Sequence, residues 1–354
     1  MKTYIPDIYF LKKIAASNVK RLSFPFKCSF AVTYKCNLRC KMCNIWKKND
    51  ERQEVSLADI KNFFKHADKF SWVGITGGEP FLRNDIQDIS DVIINESKYL
   101  SALHYATNGF LSDRIIETVK NIRKDHKNQR LVFTVSIDGH PELHNDIRGI
   151  ENLWDKAVAT FIALKNISNV KAQIGFTISK YNIGKFNEMF NAFKKEYPSL
   201  NFNDINVNIF QRSSFYYDND NMDSVDDSEL YNQLNDIFSL DTGRQFSINN
   251  FLRRTYLKFY PQYIQNKKTP VKCQAMSSTF FMDPYGDIYP CAIHKRKLIN
   301  MRDVQKNFKE IWTSAEAKKI SDECAQNKCP VCWSPCDAFS AISSSLIKSV
   351  KQYV

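Results

Sequence analysis

Short β-rich runs alternate with longer amphipathic segments through the first 240 residues, and this alternation constrains the fold most strongly. Strands are predicted at 28–34, 72–76, 103–107, 131–137, 172–178 and 205–210. Helical patterns fill the segments near 56–70, 84–98, 112–127, 150–166 and 184–197, and another follows at 224–240. Strands joined through helices predict a parallel sheet with right-handed crossovers. Six units are too few for a closed eight-stranded barrel, so we expect an open or partial α/β barrel with ligands at the carboxyl ends of its strands.

The alternation stops after about residue 240. The segment TFFMDPYGDIYPCAIH predicts a β-hairpin with strands at 279–283 and 287–292 and a turn at 284–286. We therefore predict three parts: an N-terminal extension (1–27), an α/β core domain (28–240) and a small hairpin-plus-helix domain (241–354).

The ten cysteines fall into two groups at opposite ends of the chain. Cys28, Cys36, Cys40 and Cys43 lie near the start, and Cys273, Cys291, Cys324, Cys329, Cys332 and Cys336 lie near the end. The first residues lack the continuous apolar core of a secretory signal, so we expect a cytoplasmic protein. Cysteines in a reducing compartment indicate metal sites before disulfides, and two groups predict two inorganic sites.

The first group has the spacing Cys36-x3-Cys40-x2-Cys43 and follows the first predicted strand. Three thiolates leave one position of a four-site iron–sulfur cluster unfilled. A structural zinc site would need a fourth ligand nearby. Cys28 could supply it, but a cysteine at the start of a strand is more often a small core residue. An incomplete thiolate set is what a catalytic metal needs in order to bind a substrate directly.

Three further loops carry short motifs, and each follows its own predicted strand. They are ITGGEP at 75–80, TNG at 107–109, and SIDG at 136–139 with HNDIRG at 144–149. Any one of these motifs could be an ordinary turn. Their order, one motif to a strand, favours a single ligand site at the carboxyl edge of the sheet.

Together these motifs resemble the radical S-adenosylmethionine (radical SAM) superfamily, in the subgroup that carries a C-terminal SPASM or twitch extension. The resemblance implies a 4Fe–4S cluster held by Cys36, Cys40 and Cys43, whose fourth iron chelates S-adenosylmethionine. Reductive cleavage of that cofactor would give a 5′-deoxyadenosyl radical, which takes a hydrogen atom from an unactivated carbon of the substrate.

The same resemblance implies a set of cofactor-binding residues. The GGEP backbone would hold the methionine amino group, Ser136 the ribose or carboxylate, and Arg148 the methionine carboxylate. Met42 would pack against adenine in place of the aromatic residue that the family often has there. The implied set is Met42, Gly77, Gly78, Glu79, Pro80, Asn108, Ser136, Asp138 and Arg148. No motif identifies a catalytic acid or base.

The second cysteine group resembles the SPASM/twitch domain. Cys273 and Cys291 flank the hairpin, and the tail has the spacing Cys324-x4-Cys329-x2-Cys332-x3-Cys336. The resemblance implies one auxiliary 4Fe–4S cluster held by Cys273, Cys291 and two of Cys329, Cys332 and Cys336. Cys324 is expected to be a bystander. A structural zinc knuckle is the alternative.

Three classes of function follow. The leading expectation is a radical enzyme acting on a small molecule such as a sugar, an aminoglycoside-like compound or a lipid precursor, with net oxidation through the auxiliary cluster. Only 27 residues precede the first predicted strand, too few for the peptide-binding domain of many peptide-modifying relatives. The second class is peptide or protein modification, such as crosslinking, epimerisation or sulfatase-type maturation. The third is a non-enzymatic, metal-stabilised nucleic-acid-binding module.

The net charge of +12 comes from 50 Lys and Arg residues against 38 Asp and Glu residues. This charge suits nucleic acid, an acidic protein partner or an anionic membrane surface equally. Given the resemblance, we predict docking of an acidic flavodoxin or ferredoxin-type electron donor, and no nucleic acid. The basic residues around the first cysteine group would form that surface: Lys27, Lys35, Arg39, Lys41, Lys47 and Lys48. No apolar run approaches the length of a transmembrane segment.

Overall fold

A nine-stranded sheet organises the computed structural model, which describes residues 4–48, 51–240, 247–305 and 307–353. The strands are β1 (Lys27–Ala31), β2 (Trp72–Thr76), β3 (Ala102–Thr107), β4 (Leu131–Ser136), β5 (Val170–Ile178), β6 (Ile205–Ile209), β7 (Thr279–Met282), β8 (Asp287–Tyr289) and β9 (Ile299–Asn300). Their spatial order is β6-β5-β4-β3-β2-β1-β7-β8-β9. The first six strands are parallel, which confirms the predicted α/β sheet.

The helices of the described residues are α1 (Tyr4–Ser17), α2 (Leu57–His66), α3 (Ile86–Glu96), α4 (Ser112–Asp125), α5 (Pro141–Arg148), α6 (Leu153–Lys165), α7 (Phe186–Glu196), α8 (Asp227–Leu240), α9 (Ile248–Asn266), α10 (Phe308–Thr313), α11 (Ala315–Ala325), α12 (Pro335–Ser343) and α13 (Leu346–Tyr353). Six of them, α2, α3, α4, α6, α7 and α8, confirm the six predicted helical patterns. Sequence patterns did not predict α1, α5, α9, α12 or α13. Among the described residues, no helix has both the length and the apolar character needed to cross a membrane.

The predicted hairpin is present, and it joins the main sheet. Strand β7 pairs in parallel with β1, with Lys27 opposite Thr279, and β8 pairs antiparallel with β7. The C-terminal cysteines are thereby brought to the edge of the sheet that carries the first cysteine group. Residues 241–246 lie outside the described residues, so the predicted boundary between 240 and 241 stays a prediction.

Aromatic and branched side chains hold the helices against the sheet. The rings of Tyr105 on β3 and Phe133 on β4 stack with centroids 4.7 Å apart. In α2, Ser56 and Asp59 form a capping box, and Phe63 and Phe64 are fully buried. A rigid sheet of this kind fixes the positions of the loops that follow its strands.

Candidate active site

A cavity of about 260 Å³ opens at the carboxyl ends of the parallel strands. Strands β2 to β6 contribute, in order, Thr76, Thr107, Ser136, Thr177 and Asn208. The loop after β1 contributes Cys36, Cys40 and Cys43. The cavity therefore lies where parallel α/β sheets generally bind their ligands.

The catalytic loop, residues 36–43, is fixed by the backbone at the end of α5. The Arg39 amide donates to the Arg148 carbonyl at 3.2 Å, and the Lys41 amide donates to the Ile147 carbonyl at 2.8 Å. Gly149 ends α5 with a positive φ of 72°, and a Cβ there would lie 2.7 Å from the Arg39 carbonyl oxygen. Only glycine fits this close approach, so the HNDIRG motif supports the catalytic loop.

The loop after β6 supports the other end of the catalytic loop. The Asn219 side-chain amide donates to the Met42 carbonyl at 3.0 Å, and the Asn44 amide donates to the Tyr217 carbonyl at 2.9 Å. Met42 is buried and lines the cavity, as packing against adenine would require. Its contact with adenine stays a prediction.

The three thiols of the catalytic loop are close enough to interact electrostatically. Burial raises the pKa of Cys36 to about 11 and that of Cys43 to about 12, and it also raises the pKa of Cys40. Coordination by iron would deprotonate such thiols. Three thiols on one loop facing one cavity fit a cluster held by three protein ligands.

The GGEP segment is locked against the loop that follows β1. The Gly78 amide donates to the Thr33 carbonyl, and the Glu79 amide donates to the Lys35 carbonyl, both at 2.8 Å. A Cβ on Gly78 would lie 2.2 Å from the Lys35 carbonyl oxygen. The two glycines are therefore needed for backbone contact between the loops, and both also line the cavity.

Glu79 connects the GGEP and TNG loops. Its carboxylate accepts hydrogen bonds at 2.8 Å from the Thr107 hydroxyl and from the Asn108 amide, and another from the Phe81 amide. Burial raises the pKa of Glu79 to about 7, although these hydrogen bonds oppose the rise. Glu79 and Pro80 are buried behind the cavity wall rather than exposed in it.

Asp138 plays a similar supporting role behind Arg148. The Arg148 Nε donates to the Asp138 carboxylate at 2.6 Å, and the other Asp138 oxygen accepts from the Thr177 amide at 2.8 Å. Burial raises the pKa of Asp138, and the charge of Arg148 opposes that rise. Arg148 lines the cavity, with its Nη1 3.8 Å from the Cys40 sulfur. Asp138 thus positions Arg148, the cation for which the resemblance implies contact with the methionine carboxylate.

The predicted cofactor-binding residues divide into two sets. Those that line the cavity are Met42, Gly77, Gly78, Asn108, Ser136 and Arg148. Glu79, Pro80 and Asp138 lie behind them. Contact of any of these residues with the cofactor stays a prediction.

Apart from Cys336, which was expected to be a candidate ligand of the auxiliary cluster, one wall of the cavity was not predicted from the sequence. It comes from the loop after β6 and from the start of α12, and it comprises Phe210, Gln211, Tyr216, Tyr217, Asn219, Ser334, Pro335 and Cys336. The Tyr216 hydroxyl donates to the Gly77 carbonyl at 2.9 Å, which ties this wall to the GGEP loop. The available signal was the position of the first segment, since loops after parallel strands are where ligands bind.

Five cysteines, the C-terminal cysteine group, gather beside the hairpin: Cys273, Cys291, Cys324, Cys329 and Cys332. The Cys324 thiol interacts directly with Cys329, and the Cys332 thiol with Cys291. Cys273 feels the charges of Cys291 and Cys329. Cys324, expected to be a bystander, lies within this group, and Cys336 is close enough to Cys291 to feel its charge while it also lines the cavity. No three Cys, His, Asp or Glu side chains in the described part of the chain converge on a site for a single metal ion.

The basic residues near the catalytic loop are largely engaged with the protein itself. The Lys27 ammonium donates to the Cys336 carbonyl and the Lys48 ammonium to the Phe215 carbonyl. Lys41 pairs with Asp146 at 2.6 Å. Docking of an electron donor on this surface stays a prediction.

Comparison with known proteins gives matches over most of the chain. The Radical SAM superfamily model matches residues 30–192, and the SPASM iron–sulfur cluster-binding domain matches residues 273–337. The antilisterial bacteriocin subtilosin biosynthesis protein AlbA of Bacillus subtilis (strain 168) is 22% identical over 335 residues, which are 90% of this chain and 68% of AlbA. The mycofactocin maturase MftC of Mycolicibacterium smegmatis is 23% identical over 317 residues, which are 88% of this chain and 76% of MftC.

A solved structure shares the fold. Streptococcus suis SuiB bound to its precursor peptide SuiA superposes with a TM-score of 0.62 at 16% identity, over 95% of this chain and 75% of SuiB. SuiB has also been solved bound to S-adenosylmethionine. At this level of identity the likeness shows the fold alone.

Proposed function

We propose that this chain, which belongs to the radical SAM superfamily and carries a SPASM iron–sulfur domain, modifies a residue within a peptide. It is an enzyme whose cofactors are S-adenosylmethionine, a catalytic 4Fe–4S cluster and an auxiliary 4Fe–4S cluster. AlbA is named for the biosynthesis of a bacteriocin, and SuiB binds a precursor peptide. These relatives favour a peptide over the small molecule that the sequence analysis put first.

Different residues of this chain have different roles in the proposed catalysis. Cys36, Cys40 and Cys43 would hold the catalytic cluster, and the glycines of GGEP, with Arg148, would hold the methionine end of the cofactor. When bound and reduced, the cofactor pair supplies a 5′-deoxyadenosyl radical that can remove a hydrogen atom from carbon. The protein positions the reacting groups and excludes water.

The rest of the cavity wall has almost no charged side chains, which favours an uncharged substrate. This low charge is the observation on which the proposal depends. Among the described residues that line the cavity, Arg148 carries the only formal charge apart from the thiols, and Asp138 neutralises it. The facing wall offers the amides of Asn208 and Gln211 and the phenol of Tyr217. A phosphorylated or carboxylated substrate would need paired cations, whereas a peptide backbone matches amide and phenol groups.

The test measures release of 5′-deoxyadenosine by the anaerobically reconstituted enzyme with dithionite and S-adenosylmethionine. One arm adds synthetic peptides encoded by short reading frames beside its gene, and the other adds a mixture of free sugars and aminoglycosides. We expect a peptide to raise the rate several-fold and to change in mass. Stimulation by the sugar mixture and by none of the peptides would contradict the proposal.

A matched pair of variants ties the result to the cavity wall. Asn208→Asp places a charge in the wall and should abolish stimulation by the peptide while S-adenosylmethionine still binds. Asn206→Asp places the same charge two residues earlier on β6, outside the cavity lining, and should retain the stimulation.

A further inference from the structure

The outer face of α1 exposes an apolar stripe to solvent. The side chains of Ile5, Ile8 and Leu11 are each about half exposed, and Ala15 is exposed one turn further along the helix. Residues at intervals of three and four positions share one side of a helix, so these four lie in one row. Single exposed apolar residues are common on protein surfaces, whereas a continuous row of large aliphatic side chains marks a contact surface.

The inner face of α1 packs across the amino-terminal ends of the parallel strands. The ring centroid of Phe10 lies 5.4 Å from that of Phe26, which precedes β1, and 6.5 Å from that of Trp72, the first residue of β2. The Asp7 carboxylate pairs at 3.2 Å with Arg130, which precedes β4. The outer face of α1 is therefore directed away from the sheet, at the opposite end of the strands from the cavity.

Helix α13 extends the apolar surface at the end of α1. The Asn18 side chain donates to the carbonyl of the last residue of α12 at 2.9 Å and accepts from the Leu346 amide, the first of α13, at 2.8 Å. Ile347 on α13 is 81% exposed, and Val19, next to Asn18, is 87% exposed. The terminal apolar face, as we name this surface, comprises Ile5, Ile8, Leu11, Ala15, Val19, Leu346, Ile347 and Val350.

The segments that carry the terminal apolar face are positively charged. Residues 4–21 and 346–353 contain one acid, Asp7, which is paired on the inner side of α1. The same segments contain six cations: Lys12, Lys13, Lys20, Arg21, Lys348 and Lys351. Lys12, Lys20 and Lys351 are exposed. This charge complements an anionic surface, and lysines near a membrane are attracted to anionic lipid headgroups.

The composition of the terminal apolar face favours a lipid surface over a protein. Protein–protein interfaces are enriched in aromatic residues and Arg and depleted in Lys. This face consists of aliphatic side chains bordered by lysines, a combination found on helices that lie in the headgroup region of a bilayer. Two copies of the face would bring the same cations together, so charge repulsion opposes a dimer through it.

We propose that α1 and α13 attach the enzyme to the surface of an anionic membrane. The aliphatic side chains enter the boundary between headgroups and acyl chains, and the lysines bind lipid phosphates. The helices lie on the bilayer and do not cross it. The cavity stays open to water because it lies at the carboxyl ends of the strands, away from α1. This attachment is independent of the proposed peptide-modifying function.

Flotation of the reconstituted holoenzyme with lipid vesicles tests the proposal. Vesicles of phosphatidylcholine with about 30% phosphatidylglycerol should carry the protein up a density gradient, and vesicles of phosphatidylcholine alone should carry roughly ten-fold less. Raising the salt concentration to about 0.5 M should weaken binding several-fold, because salt screens the attraction between lysines and headgroups. Equal binding to the two kinds of vesicle, or binding to neither, would overturn the proposal.

Variants of α1 test the apolar contribution. Ile8→Ser with Leu11→Ser should lower binding to the anionic vesicles several-fold, because the apolar area that enters the bilayer is lost. The matched control, Ile8→Leu with Leu11→Ile, keeps that area and should bind as wild type does. Both proteins should release 5′-deoxyadenosine at the wild-type rate without vesicles, since the two side chains are exposed and lie outside the cavity lining. Unchanged vesicle binding by the serine variant would refute insertion of the face.

Variants of the lysines test the contribution of charge. Lys20→Gln with Lys351→Gln should weaken binding to the anionic vesicles at least several-fold. Lys120→Gln with Lys156→Gln removes the same charge from exposed positions on α4 and α6, away from the terminal apolar face, and should bind as wild type does. An equal loss in both variants would mean that net charge alone attracts the protein, which would overturn the assignment to α1 and α13.

Other occupants of the terminal apolar face would give different results. A second copy of the chain would appear in sedimentation velocity as an oligomer that Ile8→Ser with Leu11→Ser dissociates, without vesicle binding. An acidic electron donor would appear as slower reduction of the clusters by flavodoxin in the same variant, again without vesicle binding. Either result would overturn membrane attachment and leave the proposed peptide modification intact.

Discussion

The catalytic loop and the C-terminal cysteine group are held in different ways. Within the catalytic loop, the amides of Arg39 and Lys41 donate to carbonyls at the end of α5, and the Met42 carbonyl accepts from Asn219. In the C-terminal group, none of the described amides of residues 329–333 donates a backbone–backbone hydrogen bond. That segment is anchored mainly by Trp333, which is buried and whose indole donates to the Tyr256 carbonyl at 3.1 Å.

This difference indicates how each site depends on its metal. A loop whose backbone is already hydrogen-bonded keeps its geometry without a cluster, as a site that must bind and release a cofactor requires. A segment with few backbone hydrogen bonds gains order when its thiolates bind metal, so cluster binding contributes to its folding free energy. We therefore expect iron to act as a cofactor at the first site and also as a structural crosslink at the second.

Removal of the catalytic thiols should have the largest effect on activity. Replacing Cys36, Cys40 and Cys43 with Ala should reduce formation of 5′-deoxyadenosine to background and lower the iron content by about four atoms per chain. Because the loop is anchored by backbone hydrogen bonds, the midpoint of thermal unfolding should change little. Iron analysis, chromatography of the nucleoside product and thermal denaturation under nitrogen measure these three quantities.

The matched variant replaces Cys291 and Cys332 with Ala. It should lose a similar amount of iron but unfold at a clearly lower temperature, because the C-terminal segment loses its crosslink. An equal change in unfolding temperature for the two variants would contradict the expectation that only the C-terminal cysteine group depends on its cluster for stability.

Removal of iron from the wild-type protein should separate the two regions directly. After anaerobic chelation, amides in residues 324–336 should exchange with deuterium much faster, while those in 38–44 should change little. Hydrogen-exchange mass spectrometry of the two peptides, with and without reconstitution, measures the difference. Equal loss of protection in both segments would show that the catalytic loop also depends on its cluster for order.

Replacement of Asp138 with Asn should show how much protein stability and cofactor binding depend on the buried ion pair between Asp138 and Arg148. Asp138 is fully buried and neutralises Arg148, so removing its charge should lower the free energy of unfolding by roughly 3–5 kcal/mol. S-adenosylmethionine should also bind more weakly, since Arg148 loses its fixed orientation. Urea denaturation and equilibrium dialysis measure the two effects.

The control for this variant is Asp146→Asn. Asp146 pairs with Lys41 on the surface, where a salt bridge contributes at most about 1 kcal/mol. A loss as large as that of Asp138→Asn would show that the Asp138 effect is not specific to burial.

Sequence patterns predicted the sheet and the catalytic loop because both depend on local signals. Alternating hydrophobicity marks each strand, and the spacing of Cys36, Cys40 and Cys43 is a motif in its own right. Helix α5 was missed although Pro141 at its start and Gly149 after its end are ordinary helix signals, since eight residues are too few for a clear periodicity.

The remaining parts of the site depend on packing between distant segments. Cys336 and Tyr217 share a cavity because α12 packs against α9, which in turn packs against β6, and no spacing in the sequence encodes that neighbourhood. The same is true of the direct interaction between Cys324 and Cys329, which form one site only once α11 has packed. Motifs identify the residues that bind a common cofactor, whereas the wall that selects a substrate is read from the folded structure.

Replacement of Glu79 with Gln should have the smallest effect at neutral pH, and that effect should depend on pH. Burial raises the pKa of Glu79 to about 7 from a usual value of 4.5, so the folded protein binds this proton more tightly than the unfolded chain does. The associated stability is fully present below pH 4.5 and is lost as the pH rises through 7, a change on the order of 3 kcal/mol. Gln carries no charge, so the variant does not lose this stability. It does leave the Asn108 amide without its acceptor, which costs about 1–3 kcal/mol at every pH.

The free energy of unfolding of Glu79→Gln should therefore lie below that of wild type at pH 4.5 and equal or exceed it at pH 8.5, because the loss of about 3 kcal/mol in wild type is at least as large as the cost of the missing acceptor. Urea denaturation of both proteins across this range measures the gap. A gap that stays constant with pH would mean that Glu79 titrates near its usual value, and that its hydrogen bonds outweigh its burial. If the difference in unfolding free energy changes with pH as expected, the buried Glu79 carboxylate that links the GGEP and TNG loops destabilises the protein when it is ionised. The loops behind the catalytic loop would then be ordered by hydrogen bonds although they contain a destabilising buried carboxylate. The C-terminal cysteine group, by contrast, would depend on bound metal for its order.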